Sequence, residues 1–463
     1  MNPKKALTLL LALFCLMTLL ALPVDAATNN ETDFVPVLRF VASSDTHVTG
    51  DGDVRTQRIG KMLDEAYAIA NGDSNYKALD AVLVVGDLTE DGTPAQFEAF
   101  ENAFASGLQG DTRLLAVVAK NHDGYNQSRG DIRATCADLT GNNADFHVVL
   151  NGYHFIGLSA SANKALHYDA GQLTWLNKHL AAAVKENPNK PVFVMHHEPT
   201  VETTYGSFVY DGWGVPYFGA ILRQYPQVVE ICGHSHFPLN DPRSVWQGAY
   251  TAINTGAIKN IEFTVDEIRS YHPDDYYDIA TYWIVEVNAQ NDLHLCGMDV
   301  NANEVLCDYI LKNPADKANR DFTPAKREAA SKAPVFSENA SLTAVPTENG
   351  CVVTVPAAQS ADGMPVVLYR VCAKNKLGVP VSKSWTLAPY YRADGADEIV
   401  LVLDNLSVGE YTLCVTAENA YGKQSDALET TVTVGGKTGF EHFRALLEAW
   451  IAYIRYYFVH LFW

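Results

Sequence analysis

The sequence predicts two folded regions of different class: an α/β domain followed by an all-β sandwich. Apolar runs of strand character alternate with helical patterns from Val37 to about Leu311, and such continuous runs suit strands covered on both faces. The chain then turns polar and charged between Asn313 and Lys332, with Pro314 and Pro324 in it. From Pro334 to about Val434 the pattern changes to short alternating strands separated by turn residues, which reads as an immunoglobulin-like sandwich of roughly 100 residues. At 463 residues the chain exceeds one typical domain of about 100–200 residues.

Taken in order, residues 1–26 have the features of an export signal. Lys4 and Lys5 make a charged start, Ala6 to Leu22 an apolar stretch, and Val24-Asp25-Ala26 ends in a small residue suited to cleavage. The protein is therefore expected to be secreted or held at the cell surface. The α/β domain is placed at 35–312, with strand-like runs at Val37–Ala42, Ala81–Val85, Leu114–Val118, Phe155–Leu158, Val192–Met195 and Val228–Ile231. Helical patterns fall at Arg55–Ala70, Ala95–Ala105 and Gln172–Val184. Residues 313–332 read as a linker and 333–436 as the sandwich, in which the stretch Tyr411 to Gly422 resembles the late-strand pattern of fibronectin type III modules. In the tail, 438–463, Glu441, Arg444, Glu448 and Arg455 share one stripe of a helix, opposite Phe443, Leu447, Trp450, Ile454, Phe458 and Leu461. That amphipathic pattern suits a membrane surface or a partner helix, and equally suits docking on the protein itself.

The formal net charge is −20 at pH 7, and removing Lys4, Lys5 and Asp25 with the leader makes it one unit more negative. So acidic a surface repels nucleic-acid backbones and anionic lipid, and no nucleic-acid binding through a basic face is expected. Seven cysteines remain: Cys136, Cys232, Cys296, Cys307, Cys351, Cys372 and Cys414. The odd number leaves at least one free or paired between chains, and none has CxxC spacing. Cys296 and Cys307 flank a hairpin turn and form the one local disulfide to consider; the others read as small apolar core residues.

Five short motifs follow in fixed order: Asp45-Thr46-His47, Gly86-Asp87, Asn121-His122-Asp123, His196-His197-Glu198-Pro199 and Gly233-His234-Ser235-His236. Nearly all stand where an apolar run stops. In α/β folds sites collect beyond the carboxyl ends of the strands, so residues far apart in sequence can meet at one sheet edge. Imidazole together with carboxylate or amide oxygen suits Zn, Mn and Fe. Two such metals about 3.5–4 Å apart can clamp the attacking and leaving oxygens of a phosphate ester. On a chain this acidic, the positive charge that draws in a phosphate is expected from the metals themselves.

The ordered set resembles the calcineurin-like metallophosphoesterase superfamily, whose pattern is D-x-H, G-D, G-N-H-D/E, H and G-H-x-H, over Asp45 to His236. The resemblance implies a layered β-sandwich flanked by helices. It implies a hydrolase for phosphate mono- or diesters, small molecule or polymer, that uses two divalent or trivalent metal ions (Mn, Fe or Zn) to acidify a shared water. Asp45, His47 and His236 would bind the first metal, Asn121, His197 and His234 the second, with Asp87 bridging. His122 is implied as proton donor to the leaving oxygen, with Glu90 or Asp123 orienting its ring. His196 and His197 compete for one ligand role; the family's ligand stands two residues before a proline, which favours His197 and leaves His196 on the opposite face of the strand.

The pattern departs at Lys120, where the family has glycine. Either the loop is reshaped or the lysine adds a charge near the phosphate. Glu90 stands where purple acid phosphatases carry a tyrosine ligand, and the large nucleoside-binding domain of periplasmic nucleotidases has no counterpart, so both subfamilies are argued against. Residues 203–218, rich in aromatics and glycine, read either as a packed surface loop or as a wall for the substrate's organic group. His147, His154, His167 and His179 are expected to be structural. A non-catalytic surface binding module with a decayed metal site is the alternative from another class; the presence of all seven ligands favours the enzyme.

Overall fold

The computed structural model describes residues 34–126, 132–161, 167–265, 268–435 and Leu447. The leader at 1–26 and, Leu447 apart, the tail at 438–463 lie outside the described residues. Chain order begins β1 (Pro36–Ser43), α1 (Val54–Gly72), β2 (Ala81–Val85), α2 (Pro94–Gly107), β3 (Arg113–Val117), α3 (Ile132–Thr140), β4 (Asp145–Leu150) and β5 (Tyr153–Leu158). It continues with α4 (Ala170–Glu186), β6 (Val192–Met195), α5 (Gly219–Leu222), β7 (Val228–Cys232), β8 (Val245–Gln247) and β9 (Thr251–Asn254). A hairpin of β10 (Phe263–Val265) and β11 (Ile268–Tyr271) precedes β12 (Thr281–Asn288), β13 (Leu293–Asp299) and β14 (Glu304–Leu311).

These strands build two six-stranded sheets, ordered β14-β13-β12-β1-β2-β3 and β4-β5-β6-β7-β9-β8. In the first, β1, β2 and β3 are parallel; in the second, β5, β6, β7 and β9 are parallel. Alternate residues of β1 serve two cores, because side chains along a strand point to opposite faces. Phe40 and Ala42 lie between the sheets, whereas Val41 lies under α1 and α2. The Phe40 ring meets Phe155 and Phe193 edge-on at 5.3 and 5.0 Å. On the far face of the second sheet, Leu176, Leu180 and Ala183 of α4 cover Ile156, Val192 and Val194. The layers therefore run helix, sheet, sheet, helix. Two of the long helices start on capping boxes, Thr93 with Gln96 for α2 and Asp169 with Gln172 for α4, which satisfy backbone donors that a helix start leaves free.

The segment read as a linker, 313–332, is a strap instead. It contains α6 (Pro324–Ala330), and Phe322 packs on the core between the sheets. Arg320 bonds the carbonyls of Gly248 and Pro226, and the Arg327 guanidinium lies 4.5 Å over the Phe322 ring. Beyond it, β15 (Thr343–Pro346), β16 (Cys351–Pro356) and β19 (Glu398–Leu403) form one sheet. The other has the order β18 (Pro380–Leu387), β17 (Val366–Lys374), β20 (Gly409–Asn419) and β21 (Leu428–Val434). The two sheets enclose one core that includes Val353, Val371, Leu401, Leu413 and Val415. Leu368 and Tyr391 of this region join Ile261, Phe263 and Ile279 in a shared apolar cluster.

The local disulfide is absent. Cys296 faces Asp308 across the ladder and Cys307 faces Gly297, so the two thiols sit on opposite faces of the sheet and both are free. A register offset of one residue is enough to forbid the bond.

His147, His154 and His179 hydrogen-bond one another in a row, with nitrogens 2.8 Å apart at both links. Burial, and the mutual repulsion of charged neighbours, holds His147 down at about 4. An unfolded histidine takes up its proton near 6.5, so between those values the unfolded chain binds more protons than the folded one. The contribution of His147 to stability is thus complete above about pH 6.5 and is lost as pH falls toward 4. Urea midpoints measured across that window should fall more steeply for the natural protein than for His147→Gln; parallel curves would remove this histidine from the acid response.

Candidate metal centre

The parallel strands deliver their motifs to one edge. Asp45 and His47 follow β1, Asp87 follows β2, Asn121 follows β3, His197 follows β6, and His234 and His236 follow β7. Five of these seven residues, Asp45, His47, Asp87, His234 and His236, have positive φ between 46° and 71°. For residues with a Cβ that conformation costs roughly 1–2 kcal/mol each, and strain of this kind persists where surrounding structure dictates it. The extensions past β1 and β2 dictate it here by pairing backbone to backbone: Asp45 N donates to Gly86 O at 3.0 Å, His47 N to Asp87 O at 2.9 Å and Val48 N to Leu88 O at 3.0 Å. Gly86 is required for close approach, since a Cβ there would stand 2.6 Å from His197 Nδ1.

The side chains gather into two groups that could each hold a metal, Asp45 with His47 and His236, and Asp87 with His197 and His234. Each group takes ligands from both sheets. Within the first, His236 Nε2 lies 3.1 Å from Asp45 Oδ1 and 3.3 Å from His47 Nε2. Within the second, His197 Nε2 lies 3.1 Å from both Asp87 Oδ2 and His234 Nδ1. Asp87 Oδ2 is also 3.7 Å from His47 Nε2, so this carboxylate stands between the groups. Asn121 Nδ2 donates to Asp87 Oδ2 at 3.0 Å.

The donor set fits two cations on independent grounds. Asp45 Oδ1, Asp87 Oδ1 and Asn121 Oδ1 are buried oxygens with no hydrogen-bond partner. The other Asp45 oxygen is occupied by His234 N at 2.9 Å and by Ser44 Oγ. His197 Nδ1 donates to Val85 O at 2.9 Å, which turns Nε2 inward as ligation requires. Without a cation the imidazoles carry the balancing charge. Burial alone would raise the Asp45 carboxyl, yet His236 and His197 hold it well below the usual range. Burial likewise opposes protonation of His197, but Asp87 and Asp45 raise it well above its ordinary value.

Residues 38–238 match the family model of the calcineurin-like phosphoesterases. No curated protein matches the chain. Among solved structures, a purple acid phosphatase from yellow lupin (Lupinus luteus) seeds aligns at 14% identity with a TM-score of 0.41, covering 59% of this chain and 53% of that one. A phosphopantetheinyl hydrolase from Mycobacterium tuberculosis aligns at 14% identity with a TM-score of 0.26, covering 47% of this chain and 89% of that one. This chain thus spans about half of the lupin enzyme, and at those scores neither likeness carries an argument about activity.

Around the two candidate ligand groups, several expected contacts are different in kind. His122 Nδ1 donates to the backbone carbonyl of Glu90 at 2.8 Å; the Glu90 carboxylate is farther away, at 3.8 Å. That carboxylate instead meets Lys259 Nζ at 3.0 Å, Arg55 at 3.3 Å and His47 Nδ1 at 3.5 Å. Asp123 does not orient His122. It accepts from Ala119 N, Thr89 N and Thr89 Oγ1, each at 2.9 Å, and so pins the loop after β3 to the loop after β2. Lys120 is half-buried with an ordinary φ, so its side chain costs the loop no left-handed strain. His196 turns away, with Nε2 2.9 Å from buried Glu230.

Lys259 and Arg55 were missed in the sequence, where positive charge was expected from the metals and considered otherwise at Lys120. Lys259 lies beyond β9, a parallel strand too short to stand out, and Arg55 in the first turn of α1 after the Asp53 cap. His167, expected to be structural, has Nδ1 2.7 Å from Oε1 of buried Glu198. In the 203–218 loop the inner residues Thr203, Tyr205 and Phe218 are buried, Tyr210 is exposed, and the Trp213 ring lies 5.2 Å from the His234 ring.

Replacing Asp87 by Asn removes the carboxylate that faces both groups. Metal titration with Mn or Zn should show the loss of at least one of two equivalents. Two equivalents bound with unchanged affinity would separate Asp87 from the metals.

Proposed function

We propose that the protein is an exported metal-dependent phosphoesterase that hydrolyses phosphate mono- or diesters. The observation that carries this reading is the pair of facing ligand groups with Asp87 between them, inside the segment that matches the calcineurin-like family. Asp45, His47 and His236 would hold one metal, Asn121, His197 and His234 the other, and Asp87 both. When bound, the metals supply Lewis acidity: they draw charge from the phosphate oxygens and acidify a water near neutral pH.

The remaining work falls to the chain's own groups. With Nδ1 committed to the Glu90 carbonyl, His122 keeps Nε2 to hold a proton for the leaving oxygen. Its ring lies 4.3 Å from that of His47, so the proton is held beside the first ligand group. Glu90 keeps Lys259 and Arg55 near that end, where their charge favours an anionic substrate. The leader supports export. The three- and four-stranded sheets support reading 333–436 as fibronectin type III-like, as does Tyr411 Oη donating to Ser407 O at 2.9 Å, a corner contact of such sandwiches. The amphipathic pattern at 438–463 supports attachment to a membrane surface or a partner helix. No helix among the described residues is long and apolar enough to cross a membrane.

The test is metal-reconstituted protein against nucleotides, phospholipid head groups, sugar phosphates and synthetic diesters. Protein that binds both metals and hydrolyses none of them would sink the reading. In the same assay His122→Ala should keep its metals and lose about 10²–10⁴-fold in turnover on alkyl esters, the usual worth of a general acid. The loss should shrink on nitrophenyl esters, whose leaving group departs without a proton; equal losses on both would give His122 another role.

A further inference from the structure

Tyr125 is the exposed aromatic residue next to the proton donor. It is 59% exposed, yet its ring centroid lies 4.8 Å from that of His122, tilted by 49°. Part of the ring therefore covers the imidazole, and the rest is a large apolar surface without a partner among the described residues.

The position of that surface is fixed by the chain. His122–Gly124 form a single 3-10 turn that Tyr125 closes, with Tyr125 N donating to His122 O at 3.4 Å. Asp123, inside the turn, is held by the three hydrogen bonds from Ala119 and Thr89. Tyr125 thus keeps a set offset from His122.

Geometry then says what the ring would touch. A proton donor has to come within about 2.6–3.2 Å of the leaving oxygen. The first atoms of the leaving group must consequently lie within a ring's width of His122, which is the distance at which Tyr125 stands. The Glu90 side of His122 is taken by Lys259 and Arg55, and the far ligand group is flanked by Trp213. Among the described residues, the exposed aromatic face beside His122 is that of Tyr125.

We propose that Tyr125 is a stacking platform for the leaving group, and that the substrate class is phosphate esters of planar aromatic or heteroaromatic alcohols. This rests on the phosphoesterase reading and on His122 as the donor. Aromatic rings stack with centroids about 4.5–7 Å apart, and the preference over a saturated group of equal area corresponds to roughly a 2- to 12-fold change in affinity. Tyr125 touches the substrate in this role and does not touch the metals.

The experiment uses the full, metal-reconstituted chain and two non-hydrolysable probes of equal size, benzylphosphonate and cyclohexylmethylphosphonate. Calorimetry on the natural protein should show the planar probe binding more tightly, by roughly 2- to 12-fold. Tyr125→Phe should keep that preference and Tyr125→Ala should abolish it, with metal content and thermal midpoint unchanged in both. KM for an aryl phosphate should rise in Tyr125→Ala by a larger factor than KM for a saturated alkyl ester. If the natural protein binds both probes equally, or binds neither, the platform is wrong. If Tyr125→Ala weakens both probes alike, the ring merely supports His122 and the proposal is overturned. Because the phosphonates bind without being cleaved, a protein that stacks them but turns over no ester would leave the platform standing and refute the hydrolase reading alone.

Discussion

Asp45 and Asp87 are 0% and 1% exposed, and each has an oxygen with no hydrogen-bond partner among the described residues. Removing a carboxylate from water costs several kcal/mol even after relaxation, unless opposite charge and hydrogen bonds replace the solvent. Here the replacement is a ring of imidazoles that face the two carboxylates and one another at 3.1–3.3 Å. Such a cluster is stable only when it holds positive charge, as protons on the imidazoles or as cations between them. The left-handed backbone at five of the seven ligand positions makes sense on the same terms. Ordinary strand geometry would carry alternate side chains to opposite faces; turning sharply at each strand end brings them inward, and the attraction they then share with a cation offsets the strain.

The ligand groups are also a seam between the two sheets. Asp45, His47, Asp87 and Asn121 come from the first sheet, while His197, His234 and His236 come from the second. The spacing of ligands within each group is therefore set by what separates the sheets, the layer in which Phe40 packs on Phe155 and Phe193. Interiors are close-packed and transmit strain, so the bulk of that layer bears on the candidate metal site, which it also touches at Val85, whose carbonyl accepts from His197 Nδ1. The backbone pairing past β1 and β2, and Gly233 N donating to His197 O at 2.9 Å, fix the spacing within each sheet in the same way.

What the sequence made legible follows from this construction. Strands buried on both faces read as unbroken apolar runs, and two of them, Ala81–Val85 and Val192–Met195, have the bounds the pattern predicts. The ligands stand where such runs stop, so their order and type were readable too. Pro380–Leu387 was not, because an edge strand with polar Ser382, Lys383 and Ser384 has neither an apolar run nor a clean alternation. Lys259 and Arg55 were illegible for another reason. A lysine is ordinarily a solvated surface residue, and only the fold brings it within 3.0 Å of Glu90. The orienting of His122 was hidden similarly, since a backbone carbonyl does the work and carbonyls leave no trace in residue identity.

The C-terminal sandwich also reads differently once its contacts are drawn. The polar, proline-containing stretch before it suggested a spacer, but polarity in a sequence does not distinguish a free linker from a strap that bonds carbonyls along its path. Tyr390 shows the consequence. Its hydroxyl donates to Asp241 Oδ2 at 3.3 Å, and its carbonyl accepts from Asn240. Asp241 in turn binds Arg243, whose guanidinium lies 3.8 Å over the Tyr205 ring. Asn240 and Asp241 stand shortly after His236, and Tyr205 stands in the loop that carries Trp213 to His234. One tyrosine of the sandwich is thus linked, through buried polar contacts, to the loops behind both ligand groups. Contacts of this kind fix loop geometry because a buried group that loses its partner is costly. The sandwich is consequently bonded to the loops that follow the candidate ligands, and its contacts bear on their placement.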